Sequence, residues 1–108
     1  MTTTTAWIVL VVAALVEIAW AVGLKYTGNW TRLGPSVFVV VAYLLGLYLL
    51  SLPMTRLPAG TAYSVWVGLG SIGVTLLGIV LFGESASPAR LLCIGLILAG
   101  VVGLKVLE

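Results

Sequence analysis

The chain has 108 residues, of which 62% are hydrophobic and only 7% are charged. No soluble domain of this size buries so much apolar surface, so the composition indicates an integral membrane protein made mostly of its membrane spans. The net charge of +2, with no basic run, argues against nucleic-acid binding. The lack of histidine removes the commonest metal ligand and general base, and we expect neither a metal nor a cofactor.

The first predicted span covers 6–24 and places Glu17 near its middle. At about 1.5 Å per residue, the carboxyl lies roughly 15 Å along the helix, at the centre of a hydrocarbon core about 30 Å thick. A charge there costs at least about 2.5 kcal/mol and marks a functional site by default. The alternative is a structural ion pair, but no other span offers a mid-span Lys or Arg.

Small residues surround this acid on its own helix. Ala13, Glu17 and Ala21 fall on one face, so the stripe is small except for the carboxylate. Trp20 follows Glu17 at helical spacing, and an aromatic ring beside a carboxylate attracts cations through its π face. We interpret Trp20 as lining a cation site, and an interfacial or lipid-facing ring is the alternative.

The second span is predicted over 36–52 and the third over 58–82. Tyr63 and Trp66 share one face of the third helix, a spacing compatible with ordinary packing or with a binding role. Gly68 and Gly70 remove side chains at mid-span. They predict either a bend in the helix or close approach of a neighbouring helix.

The fourth span is predicted over 88–107. It carries no ionisable group before Lys105 but has small residues at intervals of four, a pattern that lets helix backbones approach closely. We interpret it as a dimerisation helix, with packing inside one protomer as the alternative. The small residues are Gly95, Ala99, Gly100 and Gly103.

Short connections between the spans predict an up-down-up-down bundle, a single all-α membrane domain over 1–108 with both termini on one side. The basic residues barely favour an orientation. Either the bias is simply weak, or the chain inserts both ways and pairs with an inverted copy of itself, as the inverted repeats of many transporters do within one chain. The terminal side carries Arg56 and Lys105, and the other side carries Lys25, Arg32 and Arg90.

Several segments together resemble the small multidrug resistance family of bacterial exporters, over nearly the whole chain. They are the four short spans, the single Glu of the first helix, the segments TRLGPS and PAGTAYSVWVGLG, and the glycine-rich fourth helix. Within the family, VEIAWAVGLKYT, GESASPARL and the final GLKV look like the guanidinium exporter subtype. Trp20 is the discriminating position, because the quaternary-ammonium branch typically has a small residue there.

The resemblance implies an antiparallel, dual-topology homodimer in the bacterial inner membrane, with its site between the two copies. It implies proton-coupled antiport that exports guanidinium and small guanidinyl cations. Carried over by motif, Glu17 binds proton and substrate, Trp20 and Tyr63 shape the site through hydrogen bonds, and Trp66 lines it.

One position departs from the family pattern. Members of both branches commonly carry a serine midway along the second helix, where this chain has Gly46. Tyr43, one turn earlier, resembles the multidrug branch, so a broader exporter of quaternary ammonium ions is the alternative function. A non-transporting membrane subunit that pairs Glu17 with a partner's basic residue is a third hypothesis. An enzyme is not expected, because a lone carboxylate among aromatics offers no nucleophile and base.

Overall fold

A computed structural model describes residues 1–107, and their regular structure is helical throughout. Short 3-10 turns follow the first two helices, at Leu24–Tyr26 and Pro53–Thr55. All four long helices are long and apolar enough to cross a membrane, which confirms the predicted all-α architecture with four spanning helices. They are α1 (Thr3–Gly23), α2 (Leu33–Ser51), α3 (Ala59–Phe82) and α4 (Pro88–Leu107).

Local chemistry explains where these helices begin and end. The Thr2 hydroxyl accepts a hydrogen bond from the Thr5 amide at 3.1 Å, which caps α1 and starts it at Thr3. Gly83 ends α3 in the left-handed conformation, with φ of 65°, and its amide donates to the Gly78 carbonyl. Pro88 then opens α4, where its missing N–H costs no hydrogen bond.

Helix α1 lies at the centre of the bundle and packs against both α2 and α3, while α4 packs along α3 at the edge. The core therefore lies between α1 and α3, where Leu10, Ala13, Ala62 and Val65 are fully buried or nearly so. No residue of α4 within its described range is buried. The arrangement places mid-span side chains of α1 directly against α3.

Candidate functional site

Glu17 lies against α3 at Gly70. A β-carbon at position 70 would overlap the Glu17 carboxyl group, so glycine is what allows the carboxylate to occupy this position. Glu17 is partly buried, and its Oε1 atom is shielded from solvent without a hydrogen-bond partner among residues 1–107. Buried acceptors nearly always have a partner, so this oxygen is available to a proton or to a cationic ligand.

A cavity of about 320 Å³ opens beside this carboxylate, between α1 and α3. Ala21 lines it one turn beyond Glu17, whereas Ala13, the third residue of the small face predicted on α1, is fully buried. Ser71 and Thr75 of α3 also line it, and neither was predicted. The sequence signal that could have identified them is a pair of hydroxyl residues four apart in an otherwise apolar span. In the structure the Thr75 hydroxyl donates to the Ser71 carbonyl at 2.7 Å.

The ring of Trp20 lies on the α2 side of Glu17. It meets Tyr43 edge to face, with ring centroids 5.2 Å apart and an interplanar angle of 89°. The structure thus brings the predicted residues Trp20, Tyr43 and Gly46 together. Trp20 and Tyr43 also line a second cavity of about 240 Å³, which is separate from the Glu17 cavity.

The glycine that departs from the family pattern lies directly beneath the indole of Trp20. A β-carbon at Gly46 would be 3.5 Å from Trp20 Nε1, an ordinary contact distance, so the backbone leaves room for a β-carbon there. With glycine, the indole N–H is buried and has no partner among the described residues. Glycine at position 46 therefore provides no side chain that could accept a hydrogen bond from the Trp20 indole.

Tyr63 and Trp66 lie side by side, with ring centroids 5.8 Å apart. Trp66 is only 5% exposed, and its Nε1–H donates to the Ala13 carbonyl of α1 at 3.2 Å. Tyr63 is 54% exposed. Neither ring lines the Glu17 cavity, and the Trp66 contacts support the packing alternative that the sequence left open. A direct contact of either ring with substrate stays a prediction.

The glycines of α3 receive side chains from two other helices. A β-carbon at Gly68 would lie 2.7 Å from Val101 Cγ2 of α4, and one at Gly73 would overlap the Ile18 side chain of α1. The helix is unbroken from Ala59 to Phe82. These contacts support the alternative that the glycines allow neighbouring helices to approach α3 closely. A bend of α3 at Gly68 and Gly70 stays a prediction.

The small residues of α4 lie on an open face. A β-carbon at Gly95, Gly100 or Gly103 would meet nothing within 4 Å in the described chain. The contacts of the described chain therefore give no support to packing inside the protomer, and association with another helix stays a prediction.

No group of three His, Cys, Asp or Glu side chains within residues 1–107 could hold a metal ion. Glu17 is the ionisable group at the centre of the candidate site, and it can bind either a proton or an organic cation. The fold and the site define a small helical membrane protein with an ionisable intramembrane cavity.

Comparison with known proteins narrows this class. Residues 5–97 match the family model described as Small Multidrug Resistance protein. A guanidinium exporter of Yersinia pseudotuberculosis is 57% identical over 93% of this chain and 96% of its own length. A guanidinium exporter of Citrobacter freundii is 56% identical over 92% of this chain and 94% of its own length.

The chain belongs to the small multidrug resistance family, which confirms the resemblance read from its motifs. Its relatives are named as exporters, which points to a transporter rather than an enzyme. Its four apolar helices and its family make it a multi-pass protein of the inner membrane.

Proposed function

We propose that this protein exports guanidinium and small guanidinyl cations in exchange for protons. The observation that carries the proposal is the Glu17 carboxylate, which borders a cavity inside the membrane span and has an oxygen without a partner among the described residues. The names of the relatives at 57% and 56% identity support guanidinium as the cation.

Guanidinium chemistry suits this site. A guanidinium ion is planar and donates parallel N–H bonds to the two oxygens of a carboxylate. A proton that binds the same oxygens removes the charge that holds the cation, so proton and cation displace each other. When only the loaded states exchange between inward-facing and outward-facing forms, an inward proton gradient drives the cation outward.

The proposed working unit is an antiparallel homodimer in which each 108-residue chain contributes one four-helix domain. The open glycine face of α4 and the nearly balanced basic residues support it. The two Glu17 carboxylates then share one cavity. In such a dimer the two facing states are the same structure with the protomers' roles exchanged, so their free energies are nearly equal.

In this proposal, Trp20, Tyr43 and Gly46 border the shared cavity on its α2 side, and Tyr63 and Trp66 approach it from α3. Gly68 and Gly70 allow α3 to change shape as the site changes sides. The dimer packs through Gly95, Ala99, Gly100 and Gly103 of α4.

A broader exporter of quaternary ammonium ions is the second candidate. The Trp20–Tyr43 aromatic pair beside a cavity of about 240 Å³ favours it. Aromatic faces attract cations that have no N–H to donate. A quaternary ammonium ion is such a cation, so it suits the aromatic cavity better than it suits a carboxylate that binds through hydrogen bonds.

Proton-coupled current from the purified protein in liposomes separates the two candidates. We expect a current with guanidinium and little with tetraethylammonium. Glu17→Gln keeps the size of the side chain but removes its charge, and should abolish the coupled current. Glu108→Gln makes the same change at another acid of the chain and serves as the matched control. Proton-driven flux that persists in Glu17→Gln contradicts the proposal, and a strong tetraethylammonium current favours the second candidate.

A further inference from the structure

The cavity at Glu17 continues toward the membrane surface. A third cavity, of about 340 Å³, lies between the last turns of α1 and α3. Ala21 and Val74 line both this cavity and the Glu17 cavity. Gly70, Val74 and Gly78 follow each other at intervals of four on α3, as Glu17 and Ala21 do on α1. The two cavities therefore adjoin along facing stripes of two helices, and together we call them the cleft, which is about 12 Å long between the levels of Gly70 and Gly78.

A second carboxylate lies at the outer end of this cleft. Gly83 reverses the chain after α3, and the Glu84 amide donates to the Gly78 carbonyl at 3.2 Å. The Glu84 side chain lies back over Gly78, where a β-carbon would come 2.5 to 2.9 Å from the atoms of its carboxyl group. Glycine at position 78 thus places the Glu84 carboxylate in the cleft, as Gly70 places that of Glu17.

This outer carboxylate already holds a guanidinium group. Arg90 Nη2 is 2.8 Å from Glu84 Oε1, and Arg90 Nη1 donates to the Ser85 carbonyl at 2.7 Å. The two acceptors meet adjacent nitrogens of one planar group, and a free guanidinium ion offers the same donors in the same plane. Both side chains of the ion pair are about one-third exposed. Ion pairs at this exposure are weak, so the Arg90 side chain exchanges readily with a free cation.

The same cavity carries a second cation contact. Phe82 lines it, and the Lys25 ammonium lies 5.1 Å from the centre of the Phe82 ring. A carboxylate and an aromatic face at one end of the cleft are each occupied by a cation of the chain itself. The chemistry of this end therefore matches small organic cations.

We propose that Glu84 and the Ser85 carbonyl form an outer binding station, where a guanidinium ion displaces the Arg90 side chain before passing along the cleft to Glu17. The inference rests on the proposed export of guanidinium. It assigns Glu84 a role in substrate capture and Arg90 the role of a tethered competitor. In an antiparallel dimer, one such station lies at each membrane surface.

Guanidinium transport in liposomes, measured over a range of guanidinium concentrations, tests the station. Glu84→Gln should raise KM roughly threefold to tenfold, because it removes a charge-assisted hydrogen-bond acceptor, and should leave the maximal rate within about twofold. Arg90→Gln should lower KM, because it removes the competitor. The double variant should behave like Glu84→Gln. Arg32→Gln removes a cation from the same membrane side, outside the cleft, and should leave KM unchanged.

The opposite directions distinguish the station from a simple structural ion pair. A pair that only stabilises the loop would make both single variants change KM in the same direction, and that result overturns the inference. Gly78→Ala keeps both charges but displaces the Glu84 carboxylate, so it should also raise KM and provides the test if Glu84→Gln fails to insert. An unchanged KM in Glu84→Gln and Gly78→Ala, with transport intact in the unaltered protein, refutes the station alone. No guanidinium transport by the unaltered protein refutes the proposed function as well.

Discussion

The position of the Glu17 carboxylate depends on the lack of a side chain at Gly70. Gly70 lets the carboxyl group rest directly against the backbone of α3 at mid-span. Any larger residue at position 70 would push the acid away from α3, toward α2 or into the cavity. The placement of the carboxylate therefore depends on two residues on different helices.

Gly70→Ala tests this dependence. Alanine is favoured over glycine in a helix interior by about 1 kcal/mol, so the variant should not weaken α3 itself. Displacing the carboxylate by its new methyl group should lower guanidinium affinity at least about tenfold, which corresponds to about 1.4 kcal/mol of binding free energy. Isothermal titration calorimetry on the detergent-solubilised protein measures the affinity.

Gly60→Ala is the matched control, because it lies on the same helix and a β-carbon there meets nothing within 4 Å. It should bind guanidinium as the unaltered protein does. Equal affinity of Gly70→Ala and Gly60→Ala would show that the carboxylate has room to move without loss of function.

The sequence predicted Glu17 as the key residue because a charge at mid-span is costly wherever the other helices lie. It could not predict that Gly70 receives the carboxylate, since this depends on the relative register of α1 and α3. The hydrogen bond from Trp66 to the Ala13 carbonyl could not be predicted either. Its acceptor is a backbone carbonyl, which every residue type carries. Spacing within one helix identifies a face but not the residue opposite it.

At the scale of the elements, α4 differs from the other three helices. It packs along α3 through Gly68, yet no residue in its described range is buried. Its four predicted small residues face away from the rest of the chain as described. This helix contributes little to the core of the protomer and leaves a long surface uncovered by the described chain.

Gly100→Val tests whether this surface holds two copies together. Valine fits the isolated protomer, because a β-carbon at position 100 meets nothing within 4 Å. In a close helix–helix interface its bulk should separate the backbones and weaken dimerisation at least about tenfold. Single-molecule photobleaching at low protein density in liposomes counts the copies per particle.

Gly34→Val provides the comparison, since it adds the same side chain in open space at the start of α2. It should remain dimeric. A monomeric Gly34→Val or a fully dimeric Gly100→Val would contradict the prediction that the open face of α4 forms the dimer interface.

The number and length of the elements were the most predictable part of the fold, because each long apolar run must hydrogen-bond its own backbone in the bilayer. Their ends needed local chemistry, such as the Thr2 cap that starts α1 at Thr3 rather than at 6. The central place of α1 could not be predicted, since all four helices have similar mean hydropathy and lack a strongly polar face.

At the scale of the whole molecule, the basic residues are nearly balanced across the membrane. Because the two sides differ by only one Lys or Arg, the chain should insert in both orientations. A variant with a larger difference should insert in one orientation only. Arg56→Gln with Lys105→Gln leaves no Lys or Arg on the terminal side. Arg32→Gln with Thr3→Lys and Thr4→Lys leaves four on the terminal side and two on the other.

Each of these biased proteins should confer little guanidinium resistance on bacterial cells, and the two expressed together should restore it. A C-terminal reporter that is active on one side of the membrane only should give opposite readings for the two variants. Full resistance from either biased variant alone would mean that two opposed copies are not required.

The hydrogen bond between Trp66 and Ala13 has a mechanical consequence. Pulling α1 away from α3 would leave an indole donor unpaired in the bilayer, at a cost of about 1 to 3 kcal/mol, and would lift Ile18 off Gly73. These two contacts lie on either side of Gly68 and Gly70, so a bend of α3 at those glycines would have to carry α1 with it.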